Sequence, residues 1–171
     1  MVIKSIKPKT YNLKTSKGFT LMEVLIVSAI LVILSSAIGI TLFSYQRDTT
    51  LKSTEKDIIN YLRIANQKAI SGEDANLDGA SEKWGIRFTN STDDYYQLFY
   101  GNSFLEANTT EKIYLPTSLI FSDPSEGQNK DFIFNRVNGA TTSDFVIISL
   151  LGDATQLKTI TVNSNGSISG N

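Results

Sequence analysis

Apolar and polar positions alternate along this chain in three regimes. Residues 24–43, VLIVSAILVILSSAIGITLF, form a mostly apolar block of 20, and the 23 positions between Glu23 and Arg47 carry no formal charge. At about 1.5 Å per residue such a block spans about 30 Å as a helix, the hydrocarbon thickness of a bilayer. Beyond it, Leu51, Ile58, Ile59, Leu62, Ala65 and Ala69 recur at helical intervals, while Lys52, Glu55, Lys56, Arg63 and Lys68 occupy much of the other face. That pattern predicts an amphipathic continuation to about Ser71, with Gly72 as the stop. From Trp84 the period falls from about 3.6 to 2. Runs at 84–88, 95–100, 112–115, 118–122, 132–137, 144–150 and 157–163 predict strands, separated by turn signals at Asp93-Asp94, Asp123-Pro124, Asn138-Gly139, Gly152-Asp153 and Asn165-Gly166. The fold class is α+β: a long N-terminal helix, with a membrane half and an amphipathic half, packed on an antiparallel β-sheet. The aromatic residues read as core and cross-strand pairs.

Composition narrows the chemistry. The 171 residues include neither cysteine nor histidine. This excludes disulfides, a thiolate nucleophile, a Ser-His-Asp triad, the usual zinc ligand sets and a histidine proton shuttle. Any metal must be held by oxygen. The charge layout is uneven: Lys4, Lys7, Lys9, Lys14 and Lys17 precede the apolar block with no acidic neighbour, and without them 11 basic residues face 17 acidic ones, a net charge of −6. Lysines before the block and a single Arg47 after it predict a cytoplasmic N-terminus and an exported remainder. A secretory signal peptide cut near Ser35-Ser36-Ala37 is the competing reading, but the apolar run continues past that point to Phe43, and secretory apolar cores run about 7–15 residues. Glu23 at the threshold is the residue to explain, because a carboxylate deep in an apolar setting costs up to about 3 kcal/mol.

The string Lys17-Gly18-Phe19-Thr20-Leu21-Met22-Glu23 followed by an apolar run closely resembles the class III signal of type IV pilins and pseudopilins. The resemblance implies cleavage by a membrane prepilin peptidase between Gly18 and Phe19 and methylation of the new amino group of Phe19. It also implies a division into a leader (1–18), a transmembrane and filament-core helix (19–46) and an exported globular part (47–171). Partners would be other pilin subunits, the peptidase, an inner-membrane assembly platform and the membrane itself. Glu23 would meet the N-terminal amine of a neighbouring subunit. At about 4 Å and an effective dielectric near 20 that attraction is roughly 4 kcal/mol before desolvation, so register more than net stability is what it supplies. Ser35 and Gly39 form a small-xxx-small pair, which ordinary membrane-helix composition also explains. Many family members carry a proline in mid-helix; residues 24–46 carry none, leaving Gly39 with Ser35 and Ser36 as the flexible point. Trp84-Gly85-Ile86-Arg87-Phe88 and Ile160-Thr161-Val162 before Asn165-Gly166 are similar to H-type minor pseudopilins of type II secretion and their pilus relatives.

Two further readings concern ligands. Within residues 72–82 the core Asp74-Ala75-Asn76-Leu77-Asp78-Gly79 has the oxygen spacing of a calcium loop, with Asp74, Asn76 and Asp78 as ligands and the Ala80 carbonyl and Glu82 completing the set. Gly85 stands where a helix-loop-helix calcium hand has its bidentate glutamate, and a polar connector rich in turn residues is the alternative. Some relatives bind DNA through a cationic C-terminal region, but residues 137–171 hold Lys158 alone among basic residues beside Arg-free sequence, with Asp144 and Asp153, so direct nucleic-acid binding is not expected. The rival class is a membrane-anchored exported enzyme or binding domain. Asp93 and Asp94 as an acid-base couple would serve it, yet adjacent strand residues face opposite sides and a turn explains them better.

Overall fold

A computed structural model of the chain describes residues 18–171 except Asp78 and Ala80; for residues 36–41 and 43 the backbone alone is described. The leader call on residues 1–17 therefore lies outside the described residues. Internal contacts divide the chain into two compact units, Met1–Thr41 and Leu42–Asn171. One helix, α1 (Leu21–Ser71), is followed by β1 (Trp84–Thr89), β2 (Tyr95–Tyr100), a 3-10 turn at Glu106–Asn108, β3 (Thr109–Tyr114), β4 (Leu119–Asp123), β5 (Asn129–Phe134), β6 (Asp144–Leu150), β7 (Asp153–Val162) and β8 (Ile168–Gly170). The class is the expected one, a long N-terminal helix packed on antiparallel strands. The strands form two four-stranded sheets, ordered β3-β2-β1-β5 and β4-β6-β7-β8.

The helix stops where its sequence says it should. Gly72, at φ 68°, donates its amide to the Ala69 carbonyl, and Glu73 donates to the Lys68 carbonyl. These two bonds are the Schellman closure, which needs a left-handed residue and so favours glycine. Upstream, Leu51, Ile58, Leu62, Ala65 and Ala69 are buried in one cluster with Trp84, Ile86, Phe88, Phe132 and Phe134 of the first sheet and Phe121, Val146, Ile148, Ile160 and Val162 of the second. The 3.6-residue stripe of the helix thus meets the period-2 faces of both sheets. Phe88 sits at its centre, edge-on to Phe121 and Phe132.

No disulfide joins the sheets; polar side chains do. On one side, Asn90 donates through Nδ2 to the carbonyls of Phe121 (2.9 Å) and Pro124 (2.7 Å). Asp94 accepts the Ser91 amide at 2.9 Å and the Phe121 amide at 2.7 Å. The β1–β2 turn thereby occupies the open edge of β4, which no strand covers. On the other side, Lys130 of β5 pairs with Asp123 and with Asp144 (3.3 Å) and donates to the Phe145 carbonyl (2.8 Å). Asn66 of α1 donates to the carbonyls of Gly139 and Gly166, the glycines of the two Asn-Gly turns. Any Cβ on Gly166 would collide with Asn66 and with the Gly139 backbone.

Asp94→Ala strands two backbone amides, one of them buried, and is expected to destabilise the fold by about 1–3 kcal/mol. The exposed Asn60→Ala change should stay within about 0.5 kcal/mol. Urea unfolding of the detergent-solubilised chain, followed through its one tryptophan, the buried Trp84, measures both.

Candidate functional site

Two of the sequence-derived sites lie at opposite ends of α1. At the N-terminal end, Gly18, Phe19 and Thr20 precede the helix in non-helical backbone, and Phe19 is 83% exposed. The Gly18–Phe19 peptide therefore lies outside the helix and is exposed. Thr20 caps the helix: its carbonyl accepts the amides of Glu23 (3.1 Å) and Val24 (3.2 Å), and its Oγ1 also accepts the Glu23 amide at 3.2 Å. Glu23 reaches back, Oε2 accepting the Thr20 amide at 3.5 Å. This is a capping box, and the partial positive charge of the first-turn amides favours a carboxylate there. Sequence reasoning named Glu23 and missed Thr20, although the Thr-x-x-Glu spacing ahead of an apolar run is the signature of that motif.

From Leu21 to Ser35 every side chain is exposed, and most are apolar: Leu25, Ile26, Ile30, Leu31, Val32 and Leu34 point to all sides. A helix apolar all round has no counterpart in a solvated surface element. Among the described residues no helix is long and apolar enough to cross a membrane; within the apolar run, side chains are described for residues 24–35 and Leu42. The Ser35 hydroxyl donates to the Leu31 carbonyl at 2.7 Å, folded against its own helix. The side chains of Ser36 and Ala37, and Gly39 of the small-residue pair, fall outside the described set.

At the C-terminal end, the 72–82 loop is pinned at its neck. The Glu73 carbonyl accepts the Glu82 amide and the Trp84 indole N–H, Lys68 pairs with Glu73, and Arg136 donates to the Ser81 carbonyl. Asp74 turns both carboxylate oxygens into the loop, accepting the Leu77 and Gly79 amides at 2.7 Å each, with Leu77 at φ 62° and Gly79 at φ 86°. Asp78 and Ala80 of the proposed ligand set lie outside the described residues; among the described residues no group of three or more acidic side chains is close enough to hold a metal ion. Asn76 and Glu82 are described, on the same loop.

Asp93 and Asp94 do not form an acid-base couple. Asp94 is buried and spent on backbone amides, whereas Asp93 is exposed in the turn. Perturbed protonation elsewhere follows packing: burial pushes the Tyr96 phenol upward, its hydrogen bond to Glu111 raises that of Tyr61, and the Thr155 hydroxyl and amide hold Asp153 below the usual carboxylate range. The first two rings meet edge-on at 5.5 Å.

Residues 13–39 match the model of the prokaryotic N-terminal methylation motif. No curated protein matches the chain. Among solved structures, the type IV minor pilin FimU of Pseudomonas aeruginosa (strain PAO1), in space group P65, aligns with a TM-score of 0.51 and 16% identity over 71% of this chain and 92% of that one. A second crystal form, in space group P21, aligns with a TM-score of 0.48 and 15% identity over 70% and 86%. At this identity the first likeness establishes the fold.

Thr20→Ala removes the cap acceptor, and the resulting loss of about 1 kcal/mol is local to the first turn. Hydrogen exchange on the solubilised chain should show the Glu23 amide exchanging about fivefold faster while the amides of β1 and β6 keep their rates.

Proposed function

We propose that this chain, whose methylation motif and fold support the type IV pilin family, is a non-enzymatic filament subunit of a type IV pilus or a type II secretion-like pseudopilus. It is inserted as a precursor with its lysine leader in the cytoplasm, cut by prepilin peptidase between Gly18 and Phe19, methylated on Phe19 and assembled through α1. The observation that carries this reading is the segment Leu21–Ser35: apolar on every side, with one carboxylate, Glu23, at its capped tip. Such a helix needs lipid before assembly and other helices after it. Cleavage places a cationic amine four residues before Glu23, and the carboxylate then has a partner for which an apolar surround is a benefit, because low dielectric strengthens the pair. Peptide mass spectrometry of sheared surface material should find Phe19, methylated, as the first residue. A chain starting at Ile38 would mean a secreted protein, and one starting at Met1 a plain membrane anchor. Glu23→Ala is expected to lower the chain's abundance in the sheared fraction about tenfold or more, equivalent to about 1.4 kcal/mol or more.

For the 72–82 loop we propose calcium, bound by Asp74, Asn76 and Asp78 with the Ala80 carbonyl and Glu82. What supports it is the inward carboxylate of Asp74 and the left-handed backbone at Leu77, a conformation unfavourable for leucine unless the loop has reason to turn there. Calorimetric titration of the detergent-solubilised chain with calcium chloride should give a binding heat that Asp74→Ala and Asp78→Ala abolish; a parent chain that gives only dilution heat rejects the site.

A further inference from the structure

A groove of about 820 Å³ runs between the β1–β2 turn, the β3–β4 connection and the β4–β5 loop. Tyr114, Pro116, Ile120 and Leu151 supply its apolar wall, and Asp93, Asp94 and Glu126 supply its charge. No lysine or arginine lines it; the Arg47 guanidinium touches only the Leu151 end, through that residue's carbonyl. Asp94 is satisfied by two amides, which leave its charge uncompensated. Asp93 and Glu126 make no ion pair among the described residues. A concave surface of one sign focuses its field on whatever approaches.

The complementary sign is on the same molecule. Residues 72–171 hold 6 basic against 13 acidic side chains, whereas residues 47–71 of α1 hold 5 against 3. On the solvent stripe of α1, Lys56, Asn60, Arg63 and Gln67 are exposed at helical spacing. Lys52 is paired with Asp48, and Asp57 shares the exposed side beside Lys56, but Lys56 and Arg63 have no ion-pair partner among the described residues. Seven residues apart, these two cations lie on one face, about 10.5 Å from each other along the axis.

We infer that the acidic groove receives the Lys56–Arg63 face of α1 from a second copy of this chain. The inference rests on the filament reading and adds to it a specific lateral contact. Engaged head to tail, with each copy's groove holding the next copy's helix face, the contact is heterologous, and heterologous contacts that do not close into a ring propagate into filaments. A two-fold dimer would pair both surfaces reciprocally, and cross-linking of the double variant would then stop at two chains.

The absence of cysteine from the chain makes cross-linking direct. Full-length Arg63→Cys, Glu126→Cys and the double variant are produced in cells, oxidised on the surface and sheared. The double variant should give a ladder of disulfide-linked multimers of this chain, whereas either single variant gives dimers at most. In parallel, Arg63→Glu should lower the sheared yield about fivefold, the effect of losing an exposed charge pair, and Glu126→Lys in the same chain should restore it. Sheared filaments that contain the double variant without a ladder, or a cross-link to a different protein, overturn the contact while leaving the filament reading in place. Wild-type chain absent from the sheared fraction overturns both.

Discussion

Both sheets close on one stripe of α1. Leu51, Ile58, Leu62, Ala65 and Ala69 are the shared floor of a core whose two walls come from strands of different sheets, and no covalent link holds those walls together. Ala65 and Ala69 supply the small positions of this floor and Leu51, Ile58 and Leu62 the large ones, all of them buried. Around this floor the sheets are tied by side chains that end on backbone: Asn66 from the helix, Asn90 and Asp94 from a turn, Lys130 from an edge strand. Each is at least partly buried, so each bond protects polar groups that would otherwise be costly to leave unpaired.

The same helix changes character along its length. From Leu51 to Ala69 its apolar positions fall on one side and are buried in the core; from Leu21 to Ser35 they fall on all sides and are exposed. Within that second stretch Glu23 is the sole charge, and in the uncut chain it caps its own helix start. The Thr20 amide lies at 3.5 Å from Oε2, the long limit of a hydrogen bond, so the carboxylate is only loosely engaged. In the proposed mature form the Phe19 amine sits next to that amide. A neighbour's amine then competes with a weak bond rather than a strong one, and the carboxylate is already held at the helix tip.

Periodicity made the helix and most strands legible because burial follows it: the helix end at Ser71 and the strands at 95–100 and 144–150 agree with the sequence reading, and 84–88 lengthens by one residue. The runs at 112–115, 132–137 and 157–163 instead begin earlier, at Thr109, Asn129 and Asp153, where Thr, Asn and Gln are paired by backbone rather than selected by an apolar pattern. The short β8 and the turn at Glu106–Asn108 escaped for the same reason. Division of the strands into two sheets was not legible, since it depends on which edges remain open, and the edge of β4 is covered by two side chains from a turn. At the N-terminal end the Gly18–Phe19 pair and Glu23 stood out from the string, whereas Thr20 requires knowing where the helix begins.

Strength and register of association have different sources in such a chain. Burying the apolar sleeve of α1 yields about 25 cal/mol per Å² whatever the axial offset between helices, because the term is non-directional. Rows of Leu, Ile and Val offer similar contact when a helix slides by one turn. Charges respond differently: a slide of 5.4 Å, one helical turn, separates a contact pair and leaves each partner desolvated without compensation. Under the filament reading, Glu23 in the first turn, and Lys56 and Arg63, 33 and 40 residues further along the sequence and without an ion-pair partner among the described residues, are therefore suited to fix an offset that the apolar surface cannot specify. Their individual contributions are small beside the apolar term, and what they add is a preference for one register that the apolar term lacks.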